Sequence, residues 1–137
     1  MSERSVRVAS AVLAALGAAI SAYLLVVRET GAALVCSTGG CETVQSSSYA
    51  EVLGIPVAAL GLIGFLGLLV ASLGRGEWAR LAQATLALAA FLFGVYLLAI
   101  QVFVIGALCQ WCLATDVLTT AIVTLALVRL RPMRAPG

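Results

Sequence analysis

The sequence predicts an all-α integral membrane protein, a bundle of four transmembrane helices with an outer loop that contains a short interfacial segment. Three observations predict it: a composition too apolar for a soluble domain, apolar runs of bilayer-spanning length, and charges gathered into the breaks between them. Of 137 residues, 63% are hydrophobic and 10% charged, and the mean hydropathy is +1.14, far outside the soluble globular range. A bilayer core about 30 Å thick needs roughly 20 apolar residues per helix. Four spans therefore use nearly all of residues 1–137 as a single membrane domain.

Met1 to Arg7 is a short polar head, and the first span is expected at about 8–27, too long for the apolar region of a secretory signal. Residues 28–54 form the outer loop, with Cys36, Gly39-Gly40, Cys41 and three consecutive serines from Ser46 to Ser48. Val44, Tyr49, Val52 and Leu53 are apolar among polar neighbours there, which suits a segment lying in the interface. The second span, about 55–73, opens with Pro56 in its first turn, where a missing N–H costs least. Gly61, Gly64 and Gly67 recur along it, a spacing that lets helices approach closely in lipid and, as the alternative use, leaves room for a flat ligand. A polar turn from Gly74 to Arg80 precedes the third span, about 81–105, long enough to tilt. Gly106-Ala107-Leu108 is hardly a loop, so the fourth span, about 109–130, starts at the same membrane face.

The arginines orient the chain. Seven of eight, namely Arg4, Arg7, Arg75, Arg80, Arg129, Arg131 and Arg134, fall in the head, the middle turn and the tail, and only Arg28 falls on the other side. The positive-inside rule then makes both termini cytoplasmic. The outer loop and the start of the fourth span share the outer face, so all four cysteines are expected on the oxidising side. The net charge of +2 follows from this distribution and points to no nucleic-acid partner; lipid surrounds the chain instead.

Histidine, asparagine and lysine are absent, which excludes a His-ligated metal, a His-based catalytic triad and a Schiff-base lysine. The chemistry is left to two close thiol pairs, Cys36/Cys41 and Cys109/Cys112. Residues i and i+3 on a helix share a face, so Cys109 and Cys112 can bridge if the first turn is relaxed. The positive end of a helix favours the thiolate, the form that attacks disulfides. Cys112, one turn deeper, faces the bilayer interior, where a quinone could reach it. Cys36 and Cys41, joined through Gly39-Gly40, could close a small disulfide and meet a soluble partner and Cys109 in turn. Two structural disulfides, or a zinc ion held by four thiolates, are the alternatives left open by spacing.

The order Cys36-x4-Cys41-Glu-Thr-Val-Gln-Ser-Ser47-Ser-Tyr49, then Gly54-Ile-Pro56, then Cys109-x-x-Cys112 resembles the vitamin K epoxide reductase family, particularly its small bacterial homologues. The resemblance covers nearly the whole chain. It implies a four-helix bundle around a quinone, with Cys109 and Cys112 as the active-site pair and Cys36 and Cys41 as the loop shuttle. It further implies exchange between Cys41 and Cys109, reaction of Cys112 with the quinone, and a role for Ser47 at the quinone site. Vertebrate members have a quinone-contacting asparagine, which this sequence lacks, and a tyrosine four residues past the CxxC, where Asp116 stands. The bacterial role is the one implied: a multi-pass plasma-membrane enzyme that reoxidises an extracytoplasmic thioredoxin-like (DsbA-like) protein and reduces menaquinone or ubiquinone. The unrelated DsbB-type oxidase has its CxxC in the first outer loop; here the CxxC comes last.

Asp116 lies one turn below Cys112 on the same face. An ionisable residue within a span is often functional, and two roles are open to it: proton delivery to the reduced quinone, or holding the Cys112 thiol in its protonated form. The alternative is a carboxylate satisfied by water or by the hydroxyls of Thr115 or Thr119. Gln45, Gln101, Gln110, Tyr96 and Trp111 are further candidate quinone contacts that the sequence leaves unranked.

Overall fold

The structure is a computed structural model and describes residues 2–31 and 51–134, with side chains as far as Arg131. Cys36, Cys41, Val44, Gln45, Ser47 and Tyr49 lie outside the described residues. Helix α1 (Glu3–Thr30) begins where the Ser2 hydroxyl accepts the Ser5 N–H, and ends at Gly31, whose left-handed backbone (φ 70°) directs its N–H to the Val27 carbonyl. Glu3 in the first turn and Arg28 in the last complement the helix dipole. These capped polar turns carry α1 past both ends of the apolar run.

A small antiparallel hairpin follows, β1 (Glu51–Val52) and β2 (Ile55–Pro56), pairing Glu51 with Pro56 and Val52 with Ile55. Both turn residues have positive φ, Leu53 at 53° and Gly54 at 82°, the backbone a two-residue hairpin needs. Arg28 at the end of α1 pairs with Glu51, tying the hairpin to the bundle. Pro56 was expected inside the first turn of the second span; it is instead the N-cap of α2 (Val57–Leu73). Its ring tolerates both neighbours, since a two-residue edge strand and a helix start each leave its missing N–H unneeded.

Helix α3 (Glu77–Ile100) continues into a π-helical turn, Gln101–Ile105, and α4 runs Gln110–Arg134. Helix α1, α3 with its π turn, and Gln110–Arg131 of α4 are each long and apolar enough to cross a membrane. Helix α2 has 17 residues, roughly 26 Å at 1.5 Å per residue, the short limit of a span. The chain is a membrane protein built as an all-α bundle. Its helices form a ring in which α1 packs on α2 and α4, and α3 packs on α2 and α4.

Small residues set the closest contacts. Ser10, Ala14, Gly17, Ala18 and Ser21 line the buried face of α1, and a Cβ on Gly17 would fall 2.3 Å from the Phe65 ring. The core joins Ala14 and Ala18 to Phe65, Leu68, Ala87, Ile122, Val123 and Ala126. The glycines of α2 divide their work. A Cβ on Gly61 would lie 3.0 Å from Ser21 Oγ, so Gly61 serves packing, whereas a Cβ on Gly64 would meet nothing within 4 Å.

One end of the bundle is rich in arginine. Arg129, read from the sequence as a tail charge, belongs to α4 and is only 1% exposed. Its guanidinium donates to Glu3 (3.0 Å), to the Ala71 carbonyl (3.1 Å), to Gln83 Oε1 (2.6 Å) and to the Gly74 carbonyl. Arg80 reaches the same Glu3 carboxylate at 3.4 Å, and Arg7 donates to the Leu73 carbonyl. One buried cation thus clamps all four helices, and the carbonyls at the C-terminal end of α2, which the helix itself leaves without a donor, provide part of its cage.

Candidate active site

The opposite end of the bundle holds the CxxC. Helix α3 does not stop at Ile100. The Gln101 carbonyl accepts the Gly106 N–H at 2.9 Å, a π-type bond closed by the left-handed backbone of Gly106 (φ 73°). Three residues later the Cys109 N–H donates to the Gln101 side-chain Oε1 at 2.9 Å, and the Cys109 carbonyl accepts the Leu113 N–H at 3.0 Å. Cys109 is therefore the N-cap of α4, just outside the helix, and Cys112 lies in the first turn. Cys109 is fully buried against Ile105, Ala107, Trp111 and Cys112. Trp111 in turn packs on Tyr23 of α1, with ring centroids 5.1 Å apart and planes at 57°.

Below the CxxC, the four helices enclose a mainly apolar cavity of about 320 Å³, within the range of small-ligand sites. Cys112, Thr115, Asp116 and Thr119 of α4 form one wall; Gly61 and Gly64 of α2, and Phe93 and Gly94 of α3, form others, with Gln101 at the CxxC end. Cys112 and Asp116 are one helical turn apart on the same face. The threonines do not satisfy the carboxylate: Thr115 donates to the Cys112 carbonyl (2.8 Å) and Thr119 to the Asp116 carbonyl (2.9 Å). Asp116 Oδ2 is buried without a hydrogen-bond partner among the described residues. Such a group is expensive to leave unpaired, and it marks the one strongly polar point on this wall. On the facing helix, a Cβ on Gly94 would fall 2.6 Å from Asp116 Oδ1. Glycine at 94 is what lets the carboxylate occupy its position.

The sequence of this bundle, residues 8–127, matches the model of the Vitamin K epoxide reductase family, VKOR. The chain belongs to that family. Membership makes it a quinone-linked, thiol–disulfide oxidoreductase of the membrane in general terms. The cavity of this VKOR-family protein fits a quinone headgroup, a flat ring with apolar faces and a carbonyl at each pole. The apolar walls suit the faces, and Asp116, whose Oδ2 has no partner among the described residues, would in its protonated form offer a donor to a carbonyl pole.

The structure thus brings together Cys109, Cys112 and Asp116, while Cys36, Cys41 and Ser47 fall outside the described residues. Of the other candidate contacts, Gln101 lines the cavity. Trp111 packs at a tilt against Tyr23, and Tyr96 is exposed beside Phe93 at 6.0 Å. Gly94 was missed by sequence reasoning; its only signal, a glycine within an apolar helix, is too common in membrane spans to single it out.

Proposed function

We propose that this protein is a membrane thiol:quinone oxidoreductase that reoxidises a thioredoxin-like, disulfide-forming protein outside the membrane and passes the electrons to menaquinone or ubiquinone. The arginine-rich end faces the cytoplasm, on the positive-inside rule, so both termini are cytoplasmic and the CxxC end faces outward. Reduced partner exchanges with the Cys36/Cys41 disulfide, and Cys41 with Cys109. Each exchange forms one sulfur–sulfur bond and breaks another, leaving the partner oxidised and the Cys109/Cys112 pair as a dithiol. Closing the Cys109–Cys112 disulfide releases two electrons and two protons, which a bound quinone accepts to become quinol.

The residues of the chain divide the remaining work. The buried end of α4 keeps Cys109 beside Cys112 and away from bulk water. Cys112 presents its sulfur to the cavity. Asp116, one turn deeper, holds or passes a proton at Oδ2, and Ser47 contributes at the quinone site from the outer loop. The observation that carries the reading is the shared wall, with the Cys112 thiol and a carboxylate whose Oδ2 has no partner among the described residues both lining one apolar cavity.

The test is turnover by purified protein with a reduced thioredoxin-like donor and a quinone, for the wild type and each Cys→Ala variant. Loss of Cys109 or Cys112 should abolish quinone reduction even with small dithiols, while loss of Cys36 should mainly impair the protein donor. A Cys112→Ala enzyme that still turned over would refute the scheme.

A further inference from the structure

The link between α3 and α4 is held at both ends by one residue. Gln101 accepts the Gly106 N–H on its backbone oxygen and the Cys109 N–H on its side-chain oxygen, each at 2.9 Å. It is itself 2% exposed and forms part of the cavity wall. A helix N-cap commonly has its own N–H taken by the side chain three positions into the helix. Here that position is Cys112, whose sulfur is a weak acceptor and is needed for chemistry. The buried Cys109 N–H still requires a partner. Gln101, eight residues earlier, supplies it, and the π turn closed by Gly106 is the distortion of α3 at which its side chain reaches across. Single π turns of this kind often occur where a functional side chain must be placed.

The geometry points to Gln101 as the positioning residue of the CxxC: its amide oxygen fixes the Cys109 backbone, so that the sulfur changes partner by side-chain rotation without movement of the chain. This rests on the thiol-exchange reading above, in which Cys109 must alternate between Cys112 and an outer-loop cysteine. A fixed backbone keeps the two CxxC sulfurs at high effective concentration. Releasing it lowers that concentration and weakens their disulfide relative to the dithiol.

The experiment compares wild type with Gln101→Met, which keeps the length without a comparable acceptor, and Gln101→Glu, which keeps an oxygen at the same reach. Quinone turnover with a small dithiol donor and the Cys109–Cys112 equilibrium with glutathione are both measured, the latter in a Cys36→Ala/Cys41→Ala background. Gln101→Met should lower kcat by about 10- to 100-fold, with quinone KM nearly unchanged. It should also shift the glutathione equilibrium about tenfold toward the dithiol, a change of about 30 mV. Gln101→Glu should restore both.

An unchanged kcat in Gln101→Met overturns the proposal, as does a raised KM with kcat intact, which would make Gln101 a quinone contact. Failure of Gln101→Glu to rescue also overturns it. If the methionine variant does not fold, Gln101→Asn, which withdraws the oxygen by one methylene, takes its place, and equal turnover in the Asn and Glu variants overturns the proposal. A wild type that reduces no quinone sinks the thiol:quinone reading instead, and the glutathione equilibrium still tests the clamp without quinone.

Discussion

Filling the cavity at Gly64 separates a quinone site from a packing void. Gly64 is on the cavity wall and a Cβ there meets nothing within 4 Å, so the first carbon of Gly64→Leu enters open space and the substitution adds four carbons at the wall. If those carbons exclude an equal amount of ligand, the loss at about 0.8 kcal/mol per buried CH₂ is about 3 kcal/mol, a little over two decades in affinity. The fold should gain slightly, because replacing a helix-interior glycine relieves up to about 1 kcal/mol. The contrast is Gly61→Leu on the same helix, whose Cβ would press on Ser21 Oγ at 3.0 Å and should cost about 1–3 kcal/mol of stability. Binding of a short-chain quinone and thermal unfolding in detergent read both effects. A Gly64→Leu protein of normal stability and unchanged quinone affinity would show that the quinone binds elsewhere.

Three further outcomes are expected. Asp116→Asn should slow quinone reduction by about 100-fold, the lower range for a lost proton-transfer group, with thiol exchange with a dithiol donor intact; stopped-flow traces with full-speed quinone reduction would remove Asp116 from the chemistry. Gly94→Ala should force the Asp116 carboxylate aside, so the stability cycle combining it with Asp116→Ala should be non-additive by about 0.5–3 kcal/mol. Additive unfolding free energies would mean that the close approach of 2.6 Å is relieved without consequence. Arg129→Met leaves Glu3, Gln83 and two α2 carbonyls without this partner and should destabilise the bundle by about 3–5 kcal/mol. Arg131→Met, at an exposed position, should stay within about 0.5 kcal/mol in the same unfolding assay.

What the sequence discloses follows the range of the interactions involved. The membrane helices are legible because each rests on a contiguous apolar run, and Cys112 and Asp116 can be placed on one face because helical spacing is local. The hairpin at 51–56 is not legible, since its turn is Leu53-Gly54 and a leucine at positive φ carries no turn signal. The π turn at Gln101–Ile105 is equally hidden within an unbroken apolar run. Arg129 counts correctly as a charge of the arginine-rich end, but its burial depends on Glu3, 126 residues away. The glycines of α2 show the limit most clearly: one spacing serves two purposes, and only the neighbours of Gly61 and Gly64 tell them apart.

The central claim is that the CxxC pair itself delivers electrons to quinone from within the bundle. A single-turnover measurement on pre-reduced protein carrying Cys36→Ala and Cys41→Ala tests it most directly, with quinol and Cys109–Cys112 disulfide quantified together. The account predicts one quinol and one disulfide formed per protein in step, and neither when Cys112 is also replaced by alanine. Quinol formed without that disulfide, or disulfide formed without quinol, would contradict it.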